Sequence, residues 1–172
     1  MKAVRYDRPG GPDVLEYVDV PDPVAGPVDV VIDVGAAALN RLDIVQRNGW
    51  YALPGFTLPH IAGMDVAGVV SEVGAEVDGI SVGDRVVVDP SLAGVDGRSR
   101  LAGRGDLYGE LGVIGGNVDG GYAERCLVPA SHVQPVPDSM SLEHAATFPT
   151  CFVTAAHALF DVGRLQAGET VL

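Results

Sequence analysis

Two short stretches hold the residue types from which a reaction site could be assembled. The first is Asn40-Arg41-Leu42-Asp43-Ile44-Val45-Gln46-Arg47-Asn48-Gly49-Trp50-Tyr51, which offers a carboxamide, a carboxylate, guanidinium groups and a phenol in close succession. Asn40 or Asp43 can also cap a short helix that Gly49 ends, so the residues alone read both as a capped surface turn and as a site. The second stretch is Pro59-His60-Ile61-Ala62-Gly63-Met64-Asp65, in which Gly63 and Gly68 bracket Met64 and Asp65. Glycine at the mouth of a strand marks a bulge or a close approach of backbone, and this reading places the Met64 and Asp65 side chains for display. Asp65 alone cannot hold a metal ion, because a catalytic zinc takes three protein ligands, typically thiolate, imidazole and a further thiolate or carboxylate. The four histidines have structural readings: His60 precedes the glycine bulge, His132 flanks a loop, and His144 and His157 fall on expected helices. Two cysteines, Cys126 and Cys151, make neither a disulfide framework nor a four-thiolate zinc site, and are read as buried thiols.

The elements that must position these residues are mainly strands. Residues 1–6 alternate apolar and polar side chains, and residues 15–20 do so again after Pro9-Gly10-Gly11-Pro12, which predicts a hairpin-like pair. Pro21, Pro23 and Pro27 interrupt the chain before residues 29–38, a valine-rich run that reads as a buried strand. Residues 66–73 and 85–89 are further strands, separated by Gly74, Gly79 and Gly83. Strands this short and this regularly punctuated belong to a barrel or sandwich. Residues 90–121 form a long glycine-rich stretch of the kind that is functional or mobile inside a compact domain. The chain then returns through Asp119-Gly120-Gly121-Tyr122-Ala123-Glu124 to a strand at residues 126–129 and an extended piece at 133–137. Ser141 caps a helix with Leu142, Ala145, Ala146 and Phe148 on its apolar side, and Pro149 breaks it. A second helix over residues 152–160 ends near Gly163, and residues 165–172 read as a turn and a strand.

Composition narrows the partners. With 172 residues the chain has room for one domain with a real core and too little for two ordinary ones. No apolar run reaches the ~18 residues of a membrane helix, and no leader pattern begins at Met1, so a cytoplasmic protein is expected. A formal charge of -12 argues against nucleic acid and anionic membranes as partners.

In its ordered motifs the chain resembles the medium-chain dehydrogenase/reductase superfamily. These are Pro59-His60-x-x-Gly63, Val73-Gly74, Gly83-Asp84-Arg85-Val86, Gly120-Gly121-Tyr122-Ala123-Glu124 and Gly168-Glu169-Thr170-Val171-Leu172. The resemblance implies a mainly β fold: a GroES-like irregular barrel as the substrate domain over residues 1–132. Residues 133–172 would then supply connecting helices and the first strand of an incomplete Rossmann domain. No Gly-x-Gly-x-x-Gly loop follows a strand in this sequence, so the stretch reads as an N-terminal fragment of a longer enzyme. Departures from the zinc-dependent pattern carry the functional reading. Met64-Asp65 stands where those members have His-Glu, Asn40 stands for a cysteine, and Thr150 occupies the third ligand position. Cys151 falls one residue late, which on a helix turns its side chain by ~100°. Gly94, Gly97, Arg100 and Tyr108 align with the four cysteines of a structural zinc lobe. The implied enzyme is therefore a zinc-free, NADP- or NAD-dependent oxidoreductase that reduces quinones, enones or enoyl thioesters.

Within that resemblance Tyr51 matches a proton-donating tyrosine of enoyl-thioester reductases, with packing beside Trp50 as the other reading. Asn40 would orient substrate or the nicotinamide ribose, Asp43 and Arg47 would brace the loop by a salt bridge, and Thr150 and Thr154 would approach the nicotinamide. The expected partner is a small-molecule carbonyl compound. Self-association as a homo-oligomer through Val153, Ala156, Leu159, Phe160, Val171 and Leu172 is expected as well. Two alternatives stand beside this reading: a non-catalytic GroES-like module that needs a partner, and an alcohol dehydrogenase-like enzyme.

Overall fold

The computed structural model describes residues 1–92 and 112–171. The chain enters as β1 (Lys2–Tyr6), which pairs antiparallel with β2 (Glu16–Asp19) and with the short β4 (His60–Ile61) in a three-stranded sheet of order β2-β1-β4. The larger sheet has five strands in the order β10-β6-β5-β3-β9, all neighbours antiparallel. Its members are β3 (Asp29–Ala38), β5 (Asp65–Val73), β6 (Arg85–Val88), β9 (Arg125–Pro129) and β10 (Val133–Pro135). Two short strands, β7 (Ser91–Leu92) and β8 (Gly112–Val113), pair beside them. The fold is thus mainly β, as the alternation predicts. The strands do not close into one barrel among the described residues; they divide into three sheets.

The core follows from the two-residue period of a strand. Register pairs Ile32 with both Val70 and Cys126, and Val30 with Val73 and Val128. Alternate residues therefore share a face, and Val30, Ile32, Val66, Val70, Val86, Val88, Cys126 and Val128 form one cluster, each at most 3% exposed. Burying each such side chain contributes about 1.5–3 kcal/mol. The opposite face is small, with Ala36, Ala38, Ala67 and Val87, and helix α2 (Leu142–Ala146) lies on it through Leu142, Ala145 and Ala146. Its amino end is capped as expected, the Ser141 hydroxyl oxygen accepting the His144 N–H at 3.2 Å.

Several expectations are corrected at the carboxyl end. Pro149 does not simply break a helix: it opens the next one, α3 (Pro149–Ala156), because proline suits the first helical position, where no N–H is needed. The helix therefore begins ahead of residue 152, and continues as a π-helical turn, His157–Val162, to Gly163. Phe148 is not on the buried side of α2; it is 38% exposed and stacks on Phe152 at 4.2 Å between centroids. Residues 169–171 form no strand, since a strand needs a neighbour for its hydrogen bonds and none of the described strands lies alongside. Cys151 is exposed rather than buried; only Cys126 is enclosed. Gly94, Gly97, Arg100, Tyr108 and Leu172 lie outside the described residues.

Candidate functional site

Strand register brings the two chemical stretches together. Ala38 at the end of β3 pairs with Asp65 at the start of β5, so the chain leaving β3 through Leu39 sets Asn40 beside Asp65. Asn40 takes an extended conformation, and helix α1 (Arg41–Arg47) starts after it. Asp43, in the first turn, reaches back so that its Oδ2 accepts the Asn40 N–H at 2.8 Å. This is the carboxylate half of a capping box. The same oxygen accepts the Tyr122 hydroxyl at 2.7 Å, and Oδ1 accepts the Gly63 N–H at 3.3 Å.

Asp65 is the centre of the assembly. Its Oδ2 accepts the Asn40 side-chain N–H at 3.0 Å, while Oδ1 accepts both the Thr150 N–H at 3.0 Å and the Thr150 hydroxyl at 2.6 Å. The carboxylate lies at the positive end of α3, where a helix favours an anion. Met64 and Asp65 are thus not displayed, being 8% and 1% exposed. Gly63 explains the turn inward. Its φ of +104° is open to glycine, and a Cβ there would lie 2.6 Å from the Tyr122 ring, so the two backbones close up and swing the next side chains into the interior. Asp43 is 6% exposed. Among the described residues neither carboxylate pairs with a lysine or arginine; each is met by three hydrogen-bond donors instead. Burial, then the hydrogen bond and charge of Asp43, then the charge of Asp65, push the Tyr122 phenol far up, so it stays a donor.

The expected Asp43–Arg47 salt bridge does not form. Asp43 turns inward to its three donors, and the Arg47 Nε donates instead to the Gly10 carbonyl at 3.2 Å. Asn40 and Thr150 are therefore brought together through Asp65, and Asp43 joins them through Asn40. Tyr51 and Thr154 are not. Tyr51 is 53% exposed next to Trp50 at 73%, on the segment after α1, and Thr154 is exposed one helical turn beyond Thr150. Sequence reasoning gave no site role to Tyr122. The signal was its place in Gly120-Gly121-Tyr122, since two glycines before an aromatic let its backbone press against a neighbour, here residues 62 and 63.

His60 belongs to a separate corner. Its Nε2 lies 3.1 Å from the Gly115 carbonyl and its Nδ1 3.4 Å from Asp119, whose carboxylate also accepts the Ile61 N–H at 2.9 Å. The Tyr6 and Phe56 rings meet it edge-on. His60 thereby pins the turn after β8 to β4. Among the described residues no three His, Cys, Asp or Glu side chains group as a metal site would require, and no helix is long and apolar enough to cross a membrane.

Comparison with known proteins gives consistent matches. Residues 26–138 match the family described as the alcohol dehydrogenase GroES-like domain. A quinone oxidoreductase of Mus musculus is 32% identical over 173 aligned residues, covering the whole chain and 44% of that protein. A zinc-type alcohol dehydrogenase-like protein of Schizosaccharomyces pombe is also 32% identical, with 49% of its length covered. Among solved structures, an NAD-dependent alcohol dehydrogenase superposes with a TM-score of 0.92 at 40% identity, over 98% of this chain and 49% of the other. A quinone oxidoreductase of Pseudomonas syringae pv. tomato gives 0.75 at 32%, over 98% and 43%. The chain spans about half the length of the curated relatives it matches.

Proposed function

Because the chain belongs to the alcohol dehydrogenase GroES-like domain family, within the medium-chain dehydrogenase/reductase superfamily, we propose that it forms the substrate side of a zinc-free NAD(P)H-dependent reductase. Residues 1–132 would be the substrate domain and 133–172 the connection to the nucleotide-binding part. Its substrates would be small conjugated carbonyl compounds: quinones, enones or enoyl thioesters.

The Asn40–Asp65–Thr150 cluster carries this reading. Zinc needs thiolate, imidazole or free carboxylate lone pairs, whereas here a carboxamide, a thioether and a hydroxyl stand at the three positions. Two of them, Asn40 and Thr150, spend their protons on Asp65, which takes three hydrogen bonds. These residues do not fit a zinc ion. A conjugated carbonyl can be reduced without one, since hydride adds at carbon and the enolate needs only a hydrogen-bond donor and then a proton.

The nicotinamide group supplies the hydride when bound. Thr150 keeps hydroxyl lone pairs that can accept from its carboxamide, Thr154 lies one turn further along the same helix face, and Asn40 would orient the reacting molecule. Tyr51, an exposed phenol, would donate the proton, and Asp43 would hold Asn40 in place. No glycine-rich phosphate loop occurs in this sequence, so the activity is proposed for the whole protein. The exposed C-terminal helices would mediate self-association.

The test uses an α,β-unsaturated carbonyl substrate with NADPH and NADH. Tyr51→Phe keeps the ring and is expected to lower turnover about 10²-fold with stability nearly unchanged. Asn40→Ala should lower it through lost orientation. Full activity in Tyr51→Phe would leave solvent as the proton source. An alcohol dehydrogenase-like enzyme is the second reading, favoured by the 40% identity to the NAD-dependent alcohol dehydrogenase. Stoichiometric, chelator-resistant zinc together with alcohol oxidation would establish it instead.

A further inference from the structure

We propose that Tyr122 is a positioning residue of this site, fixing Asn40, and through it the Asn40–Asp65 contact, by way of Asp43. The activity arm of its test rests on the reductase reading above; the spectroscopic arm does not.

A post must itself be fixed, and Tyr122 is. Its N–H donates to the Ala62 carbonyl at 3.0 Å, and its carbonyl accepts the Val4 N–H at 2.7 Å. Its ring lies over Gly63, where a Cβ would come within 2.6 Å of Cδ1 and 3.0 Å of Cε1, and packs against the cluster of Tyr6, Val14 and Ala62. The hydroxyl therefore has one place to be. There it meets the Asp43 Oδ2 at 2.7 Å, with the Ala38 carbonyl at 3.5 Å.

That oxygen is shared with the Asn40 N–H, at 2.8 Å. Asn40 thus has its backbone held by Asp43 and its side-chain amide held by Asp65, so a shift of Asp43 is passed to the carboxamide through a few covalent bonds. Both carboxylates are buried without a cationic partner among the described residues. A donor from a third element that stays protonated keeps Asp43 turned toward Asn40. Burial and the two carboxylates hold the Tyr122 proton on. A tyrosine that served packing alone would need no such partner, and phenylalanine would replace it.

Tyr122→Phe keeps the ring over Gly63 and removes only the hydroxyl. With the enone substrate, kcat is expected to fall about 10-fold while KM changes less than 2-fold, the pattern of lost orientation rather than lost binding. The double variant Tyr122→Phe/Asp43→Asn should be no slower than Asp43→Asn, because both act on one link. Multiplying losses, or an unchanged kcat, would overturn the proposal. The second readout is the Asn40 side-chain amide pair in 15N-edited NMR spectra, expected to move in Tyr122→Phe; unmoved resonances overturn the proposal even where an enone is not turned over, a result that removes the reductase reading instead. If Tyr122→Phe does not fold, the Tyr122 hydroxyl proton of the unaltered protein decides it: a slowly exchanging resonance with a cross-peak to the Asn40 backbone amide supports the link, and its absence refutes it.

Discussion

The first half of β3 and the run from Phe152 to Val162 are both rich in apolar side chains, yet they meet opposite surroundings. Val30 and Ile32 are fully enclosed, whereas Phe152, Val153, Phe160 and Val162 are 56–70% exposed. The difference lies in where each element finds its hydrogen bonds. A strand has none of its own, so β3 exists only between β5 and β9, and packing on the faces of the sheet so formed encloses Val30, Val31 and Ile32. A helix bonds within itself and can stand with its apolar side chains uncovered. Residues 169–171 make the same point in reverse: strand-like in composition, they have no neighbour and form no strand.

Substitutions in the two regions should separate most widely. Ile32→Ala is expected to cost about 3 kcal/mol, since the five-stranded sheet cannot collapse into the void, and to lower the melting temperature by roughly 6–12 °C. Phe160→Ala should cost at most about 0.5 kcal/mol. Equal losses in thermal melts would break the contrast by showing Phe160 to be covered in the protein.

Asp65 lies between the two regions and should rank next. Asp65→Ala strands the Asn40 amide, the Thr150 N–H and the Thr150 hydroxyl, at a cost of about 2 kcal/mol in denaturant unfolding. A neutral outcome would mean that α3 has another anchor.

The cysteines give a chemical version of the comparison. Burial, helped by the nearby Asp119 charge, pushes the Cys126 thiol up to about 12, so at pH 8 it stays protonated and unreactive. Alkylation followed by peptide mass mapping should modify Cys151 and spare Cys126. Comparable labelling of both would show that the sheet opens readily.

The smallest effect is acidic. Burial raises the Asp119 carboxyl, but the hydrogen bonds from His60 and the Ile61 N–H, with the charges of His60 and Arg5, outweigh it and leave the group below its ordinary 3.8. A carboxyl lowered on folding stabilises the protein above its unfolded value and loses that contribution as pH falls through the folded one. Stability should therefore decline below about pH 4, less steeply in Asp119→Asn. Identical slopes would remove Asp119 from the pin at His60.

Local pattern made much of this legible. The strand at residues 29–38, the Ser141 cap and the Asn40–Asp43 start of α1 all follow from side chains a few positions apart. The site did not, because its centre is a product of register. Nothing near Asp65 in the sequence says that Ala38 will lie opposite it, or that Thr150, 85 residues on, will cap it. Tyr122 was missed for the same reason, as its hydroxyl bonds a residue 79 positions earlier. The proline at 149 misled because a residue that ends one helix is also suited to begin another.

The joint at Thr150 has a mechanical side. Pro149 is buried and Thr150 is clasped by Asp65, but from Cys151 to Ala156 every residue is exposed. The helix is a boom stepped at its foot. Its eight residues rise ~12 Å, so a tilt of ~10° about Thr150 would carry the far end, where the π-helical turn continues, by ~2 Å while the donors at the carboxylate turn almost in place. Asp65 stands where the fulcrum of such a tilt would be, and an adjustment too small to break a hydrogen bond there would become a displacement as large as an atom at the far end of α3.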